Sequence, residues 1–212
     1  MIKLAISTSA GQFALFLGEN NKILFDSSSI EEIQELDYLL LQGLKIINKK
    51  IEDISEIIID IGPGGTSRVR TGIAFANSLA YSLNISVCSV TSMKLACLDA
   101  ALKYKVPVIF SVKSIKNNAY IGFYNNTNLF NNIEYGKIIE IIPKWIENIE
   151  EFVVVGAHRE EIINLDICKN KNVIDSKMMF GNAKILIEKS NFFTETHLKF
   201  PEFALPVTEE TL

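Results

Sequence analysis

Residues 57–72 read IIIDIGPGGTSRVRTG. Ile57, Ile58 and Ile59, then Ile61 after Asp60, form a short β-branched apolar run, the pattern of a buried strand, and Gly62, Pro63, Gly64 and Gly65 end it abruptly. Thr66 and Ser67 can cap a helix by accepting backbone N–H bonds, and Val69, Ile73, Ala76, Leu79, Ala80 and Leu83 then recur at helical spacing. The segment reads as strand, glycine loop and helix, with the helix over 69–83. Such a loop is either a tight strand-to-helix turn, since glycines supply positive φ, or a cradle of free N–H groups for an anion or a partner's carboxylate. It is not a P-loop, because no Lys-Ser or Lys-Thr follows, and glycines at 62, 64, 65 and 72 do not fit GxGxxG.

Upstream, 4–7 and 13–17 read as strands around Thr8, Ser9, Ala10 and Gly11, and 22–27 as a third, so three antiparallel strands open the chain. Ser29 with Glu32 forms a capping box for a helix reaching about Lys49. On it Ile33, Leu36, Leu40, Leu44 and Ile47 share one face, with Leu39, Ile46 and Gly43 on one flank and Ile30 and Leu41 on the other. An apolar arc wider than half the helix exceeds what packing on one sheet requires. Either this helix is buried deep in its own domain or a partner covers it. On the helix after the loop, Gly72, Ala76 and Ala80 form a stripe of small residues that permits another helix to approach closely, and Ala74 and Ser78 form a second.

Downstream, 86–90 reads as a strand, Thr91 as an N-cap and 92–102 as a helix. Lys105 and Pro107 mark a boundary, giving domains over 1–105 and 106–212. Residues 108–112 and 119–125 read as paired strands, 152–155 as a buried strand and 182–190 as a late helix. Asn125, Asn126, Asn128, Asn131 and Asn132 suggest a solvated hairpin end, and Trp145, in a helix over 144–148, reads as core. No internal repeat is visible.

Composition narrows the function classes. At 212 residues, 48% hydrophobic and 22% charged, the chain suits one large or two small globular domains. A net charge of −4 argues against gripping a nucleic-acid backbone without help. No apolar stretch of about 18 residues occurs, and MIKLAISTS enters a strand directly, so a cytoplasmic protein without membrane contact is expected. Cys88, Cys97 and Cys168 lack CxxC spacing and read as buried thiols, and neither His158 nor His197 stands where it would complete a zinc site. No GxSxG elbow supports a hydrolase. Glu31 with Glu32 and Glu160 with Glu161 fall near helix starts and complement the dipole. Arg68 and Arg70 do the opposite, which calls for an internal acidic partner or a bound anion.

GPGGTSRVRTGIAFANSLA, about sixty residues after LAISTSAGQFALFL, resembles the bacterial TsaB (YeaZ) family, whose loop usually reads GPGSFTGLRIGL. Gly62, Pro63, Gly64, Arg70 and Gly72 match, Ser67 replaces a Thr, and Gly65, Thr66 and Arg68 depart from the pattern. SVTSMKLACLDAA resembles the family's next strand and helix; Lys113, Ser114 and Ile115 replace an Asp-Ala-Arg-type turn; PEFALP resembles the closing strand, with Phe203 at a Tyr and Leu205 at an Arg position.

The resemblance implies an actin-like (RNase H-like) α/β fold with two lobes of mixed sheet flanked by helices. It implies a non-catalytic subunit that binds and activates TsaD, the transferase of threonylcarbamoyl groups to tRNA, with TsaE as further partner, a homodimer when alone, and tRNA met only through the complex. Ile30, Leu39, Leu41, Gly43, Ile46, Gly72, Ala76 and Ala80 are the expected interface residues. Thr8, Ser9, Gly62, Gly64, Gly65 and Arg70 are the candidate anion or nucleotide contacts, with ATP or ADP as the ligand at the complex interface. Catalytic members of the superfamily carry an Asp at the end of strand one, and this chain has Ser7 there. The other reading is an ATP-dependent kinase or acyltransferase of the same superfamily, with phosphate held at Thr8, Ser9 and the loop glycines.

Overall fold

The computed structural model describes residues 1–9, 13–28, 30, 35–114, 118–125, 128–193 and 197–198. It contains two compact units, Met1–Ser92 with the described residues from Ala183 onward, and Met93–Asn182. The expected boundary near 105 is displaced. Helix α3 (Ser92–Tyr104) turns Met93, Ala96, Cys97, Ala100 and Ala101 into a core with Val108, Phe110, Val153 and Val155, so its apolar face belongs with the second unit.

In the first unit, β1 (Ile2–Ser7), β2 (Ala14–Glu19) and β3 (Lys22–Asp26) form an antiparallel meander. Then come α1 (Leu36–Ile46), β4 (Ile54–Asp60), α2 (Thr66–Leu83) and β5 (Val87–Val90). β4 pairs parallel with β1 and with β5. In the second unit, β6 (Val108–Lys113), β7 (Ala119–Asn125) and β8 (Asn128–Gly136) form another meander. After it come α4 (Ile138–Ile146), β9 (Glu151–Gly156), α5 (Arg159–Ile163) and β10 (Asn172–Asp175). β9 pairs parallel with β6 and with β10. The spatial orders β5-β4-β1-β2-β3 and β10-β9-β6-β7-β8 are the same arrangement twice. The duplication lies in topology, which hydrophobic pattern preserves while residue identities drift. Late in the chain, α6 (Ile185–Glu188) packs on β1, β2 and β3, and β11 (His197–Leu198) adds to β5.

The central strands are apolar on both sides because helices cover both faces. Leu4, Ile6, Ile57 and Ile59 meet the inward faces of α1 and α2, while Gly18 of β2 lies against Ile187 of α6. Each fully buried Leu or Ile contributes about 1.5–3 kcal/mol.

The described part of α1 begins at Leu36, after an extended Glu35, and Ser29 and Glu32 of the expected capping box lie outside the described residues, as do Glu31 and Ile33. Asn48, in the left-handed region at φ 54°, ends the helix. α2 starts three residues before the expected Val69, at Thr66, with Gly65 at the N-cap position, so Thr66 and Ser67 lie in its first turn instead of capping it. Asn128, Asn131 and Asn132 belong to β8, because pairing with β7 satisfies their backbone groups better than a loop would, and Asn126 lies outside the described residues. Trp145 lies in the longer helix α4, half-buried beside Phe123, its Nε1 donating to Glu134 Oε1 at 3.0 Å. The expected late helix is shorter, four residues of α6 followed by a 3-10 turn at Ser190–Phe192. Phe203 and Leu205 lie outside the described residues. Cys88, Cys97 and Cys168 are buried and form no disulfide among the described residues; burial alone pushes the Cys97 thiol well above its usual range.

Candidate functional site

The ends of β1 and β4, the glycine loop and the start of α3 meet at one carboxyl group. Asp60 is the last residue of β4 and stands opposite Ser7, the last residue of β1. Asp60 is 1% exposed. Ser7 Oγ and Ser9 Oγ donate to its Oδ2, the first at 3.0 Å; Ser92 Oγ donates to Oδ1 at 2.8 Å; and the Gly62 N–H donates to Oδ1 at 3.0 Å. Ser9 Oγ and Ser92 Oγ are 2.6 Å apart. Four hydrogen-bonding groups of the chain thus surround the two carboxyl oxygens. Burial pushes the Asp60 carboxyl above its ordinary range, against the opposing pull of Ser9, Gly62, Ser92 and Ser7.

The same contacts shape the loop. Gly62 takes φ +92°, which only glycine adopts easily, and Ser92 N donates to Gly62 O at 2.8 Å. Ser92 Oγ also approaches Pro63 O at 3.3 Å. Gly64 is half-buried, and Gly65 is exposed with open space where a Cβ would stand. Thr8, buried, packs against Gly72 of α2 so closely that a Cβ there would run into its Oγ1, and that Oγ1 has no hydrogen-bond partner among the described residues. Of the expected anion contacts, then, the structure joins Ser9 and Gly62 to one buried cluster, turns Thr8 toward Gly72, and leaves Arg70 exposed on α2. Neither Arg68 nor Arg70 has an ion-pair partner among the described residues, so the internal acidic partner that was one of the two readings is not found there.

Asp60, Ser7 and Ser92 were not singled out from the sequence as a site. Their signal was present: one carboxylate within an all-isoleucine run has to be matched by donors if it is buried.

The expected interface residues divide by burial. Leu39, Gly43, Gly72, Ala76 and Ala80 face inward. Gly43 lets α1 close on Phe25 and Leu17, Gly72 meets Thr8, and Leu39, Ala76 and Ala80 belong to the sheet-facing core. The small-residue stripe thus serves contact with the sheet of its own unit. Ile30 is half-buried on the same core. Leu41 (62%) and Ile46 (64%) are exposed, as are Tyr38 and Tyr81 (90%), which the spacing did not single out.

The second unit has a related turn where β6 and β9 end. Gly156 takes φ +98° over Ser111, where a Cβ would strike Ser111 O. His158 N donates to Ser111 Oγ at 3.1 Å, and Arg159 binds Asp175 Oδ1 at 3.0 Å and Met178 O at 3.1 Å. A groove of about 640 Å³ lies at the other end of the first sheet, lined by Met1, Lys3, Asn20, Asn21, Ser55, Glu56 and Ser86. Among the described residues no group of three His, Cys, Asp or Glu side chains is placed to hold a metal ion, and no helix is long and apolar enough to cross a membrane.

A meander followed by αβαβ, repeated once with the same strand order and with glycine turns where the central strands end, defines an α/β protein of the actin-like class. The fold matches two Pseudomonas aeruginosa structures at 16% identity. One, described as similar to the peptidase YEAZ, has a TM-score of 0.75 over 98% of both chains; the other, YeaZ, has 0.72 over 91% of this chain and 92% of its own. The family model described as TsaD, tRNA N6-adenosine threonylcarbamoyltransferase, matches residues 29–142. The tRNA threonylcarbamoyladenosine biosynthesis protein TsaB of Buchnera aphidicola (subsp. Schizaphis graminum) is 25% identical over 88% of this chain and 91% of its own. That of Bacillus subtilis is 28% identical over 47% and 43%. The chain belongs to this threonylcarbamoyltransferase family, in its TsaB (YeaZ) branch.

Proposed function

We propose that this chain works in the biosynthesis of threonylcarbamoyladenosine in tRNA as a subunit that does no chemistry of its own, binding TsaD and stabilising its competent state, with TsaE joining the assembly. The observation that carries the reading is the match to a protein of that pathway along 91% of the relative's length. The site agrees with it in one respect. The acid at the candidate site, Asp60, is buried and hydrogen-bonded to four groups around it, which suits a structural hub better than a group that must engage a metal-bound nucleotide.

The partner surface would be the outward side of α1 and α2. Of the residues expected there, Leu41, Ile46 and the half-buried Ile30 remain available, and Tyr38, Tyr81 and the exposed Arg68 and Arg70 join them. Exposed aromatic and aliphatic side chains beside cations are the composition of an interface. The effect on TsaD would come from contacts made better in one of its states than in another.

Size exclusion with light scattering, on the chain alone and mixed with TsaD of the same organism, tests this. A homodimer that gives way to a heterodimer supports the reading. A chain that stays unchanged in the presence of TsaD overturns it.

A further inference from the structure

Three hydroxyls meet one carboxyl group at the end of β4, and their protons are too few for the contacts they make. Ser7 Oγ lies 3.0 Å from Asp60 Oδ2, Ser9 Oγ is bonded to the same oxygen, Ser92 Oγ lies 2.8 Å from Asp60 Oδ1, and Ser9 Oγ lies 2.6 Å from Ser92 Oγ. Each of these oxygen–oxygen contacts is a hydrogen bond by distance and needs a proton. Each serine supplies one. With Asp60 ionised, three hydroxyl protons serve four contacts, and however the hydroxyls turn, one pair of oxygens faces without a hydrogen. Pro63 O, 3.3 Å from Ser92 Oγ, only deepens the shortage, and the Gly62 N–H is already committed to Asp60 Oδ1.

A proton on Asp60 Oδ2 supplies the fourth proton that these four contacts need and leaves only the longer approach of Ser92 Oγ to Pro63 O unserved. Asp60 then donates to Ser9 Oγ, Ser9 donates to Ser92 Oγ, and Ser92 donates to Asp60 Oδ1, which closes a ring. Ser7 and the Gly62 N–H donate to the carboxyl oxygens as before. Hydrogen bonds arranged head to tail in this way strengthen one another. We propose that Asp60 is a neutral carboxylic acid in the folded protein at neutral pH, and that through this ring it is the positioning residue of the glycine loop. The ring joins the residues after β1, the end of β4 and the first residue of α3. It grips the loop twice, through the Gly62 N–H on Asp60 and through Ser92 N on Gly62 O.

The surroundings favour the neutral form. Burial is the largest influence on Asp60, and it outweighs the four donors. Among the described residues, those that meet it from β1 and the turn after it, β5, the loop and α3 are Ser7, Ser9, Val90, Gly62 and Ser92, none of them charged. The arginines of α2 next to the loop, Arg68 and Arg70, are exposed.

The test needs no variant to begin. In protein labelled with ¹³C at the aspartate carboxyls, the Asp60 signal, assigned through its own backbone, is followed from about pH 4 to about pH 9. It should keep its protonated shift after Asp175 has ionised; at Asp175 burial is outweighed by Lys177 and Arg159, which hold that carboxyl low. A carboxyl raised in the fold contributes stability below its unfolded pKa and loses it as pH rises through the folded one, so the urea midpoint should fall on that side. Asp60→Asn, whose amide can donate to Ser9 as the acid proton does, should keep the wild-type midpoint at neutral pH and lose this pH dependence, while Asp60→Ala should lower the midpoint throughout. An Asp60 signal that titrates together with Asp175, or an Asp60→Asn midpoint as low as that of Asp60→Ala at neutral pH, overturns the proposal.

Discussion

Ser7 and Asp60 face each other across the parallel pair β1 and β4, and Ser7 Oγ donates to Asp60 Oδ2 at 3.0 Å. The acid expected at the end of the first strand is absent from β1, and a carboxyl stands one strand over at the same height in the sheet. There is room for one such group. Ser7→Asp would place a second buried carboxyl in register with Asp60, at a site whose burial already disfavours the charged form and whose hydroxyl donor the substitution removes. We expect Ser7→Asp to lower stability by about 3 kcal/mol or more. The exchange Ser7→Asp with Asp60→Ser should recover most of the loss, because one acid and one hydroxyl again face each other. Urea titrations of the single and double variants check this; a double variant no more stable than Ser7→Asp alone would contradict it.

Thr8 and Gly72 form the second tight contact of this region. Gly72→Ala puts a methyl group into Thr8 Oγ1, and overpacking of this kind costs about 1–3 kcal/mol. Thr8→Ala removes the obstruction, so the two substitutions should couple, the double variant being more stable than the sum of the single effects. Thr8→Val keeps the shape and deletes a buried hydroxyl that has no partner among the described residues, and should raise the urea midpoint. A fall in that midpoint would mean that the hydroxyl has a partner in solution.

How far these features could be read from residues alone depends on their range. Strand, loop and helix over 57–83 were legible because the isoleucine run and the four loop residues act locally. The pairing of Ser7 with Asp60 was not, since it depends on a register between strands 53 positions apart. The inward side of α1 was ambiguous because apolar residues cover more than half its circumference. Gly43 settles it in the fold, since a Cβ there would run into Phe25 and Leu17. The repeat of sheet order was invisible for a related reason: the two units share a plan of burial, and many sequences satisfy it.

That orientation of α1 changes what mutations on the two helices should do. Leu39 is 2% exposed and Ala76 0%, so Leu39→Glu or Ala76→Glu buries an unpaired carboxylate and should unfold the first unit before it tests any interface. Leu41→Glu and Tyr81→Ser alter exposed side chains. They should leave the melting temperature nearly unchanged while weakening self-association or binding to TsaD, measured by light scattering across a dilution series. Unaltered association in the Leu41→Glu, Tyr81→Ser double variant would move the contact surface away from α1 and α2.

His158 offers a pH test in the second unit. Its Nδ1 is buried without a partner among the described residues, and burial depresses the imidazole below its ordinary value of 6.5; Glu161 pulls it up and Lys113 adds to the depression. The neutral ring is therefore the form the fold accepts, while the unfolded chain protonates at the ordinary value. Its stabilising contribution is present above about pH 6.5 and is lost as pH falls through the depressed folded value. Urea midpoints should decline between about pH 7 and pH 5 in the wild type and decline less in His158→Gln, which keeps a polar side chain at the N-cap of α5 but cannot titrate. Ser111 should not account for the difference, because it binds the backbone N–H of residue 158, which the substitution preserves. Equal slopes in the two proteins would assign the acid sensitivity of this unit to its carboxylates, with Asp175 the first to examine, since its protonation would release Arg159 and Lys177.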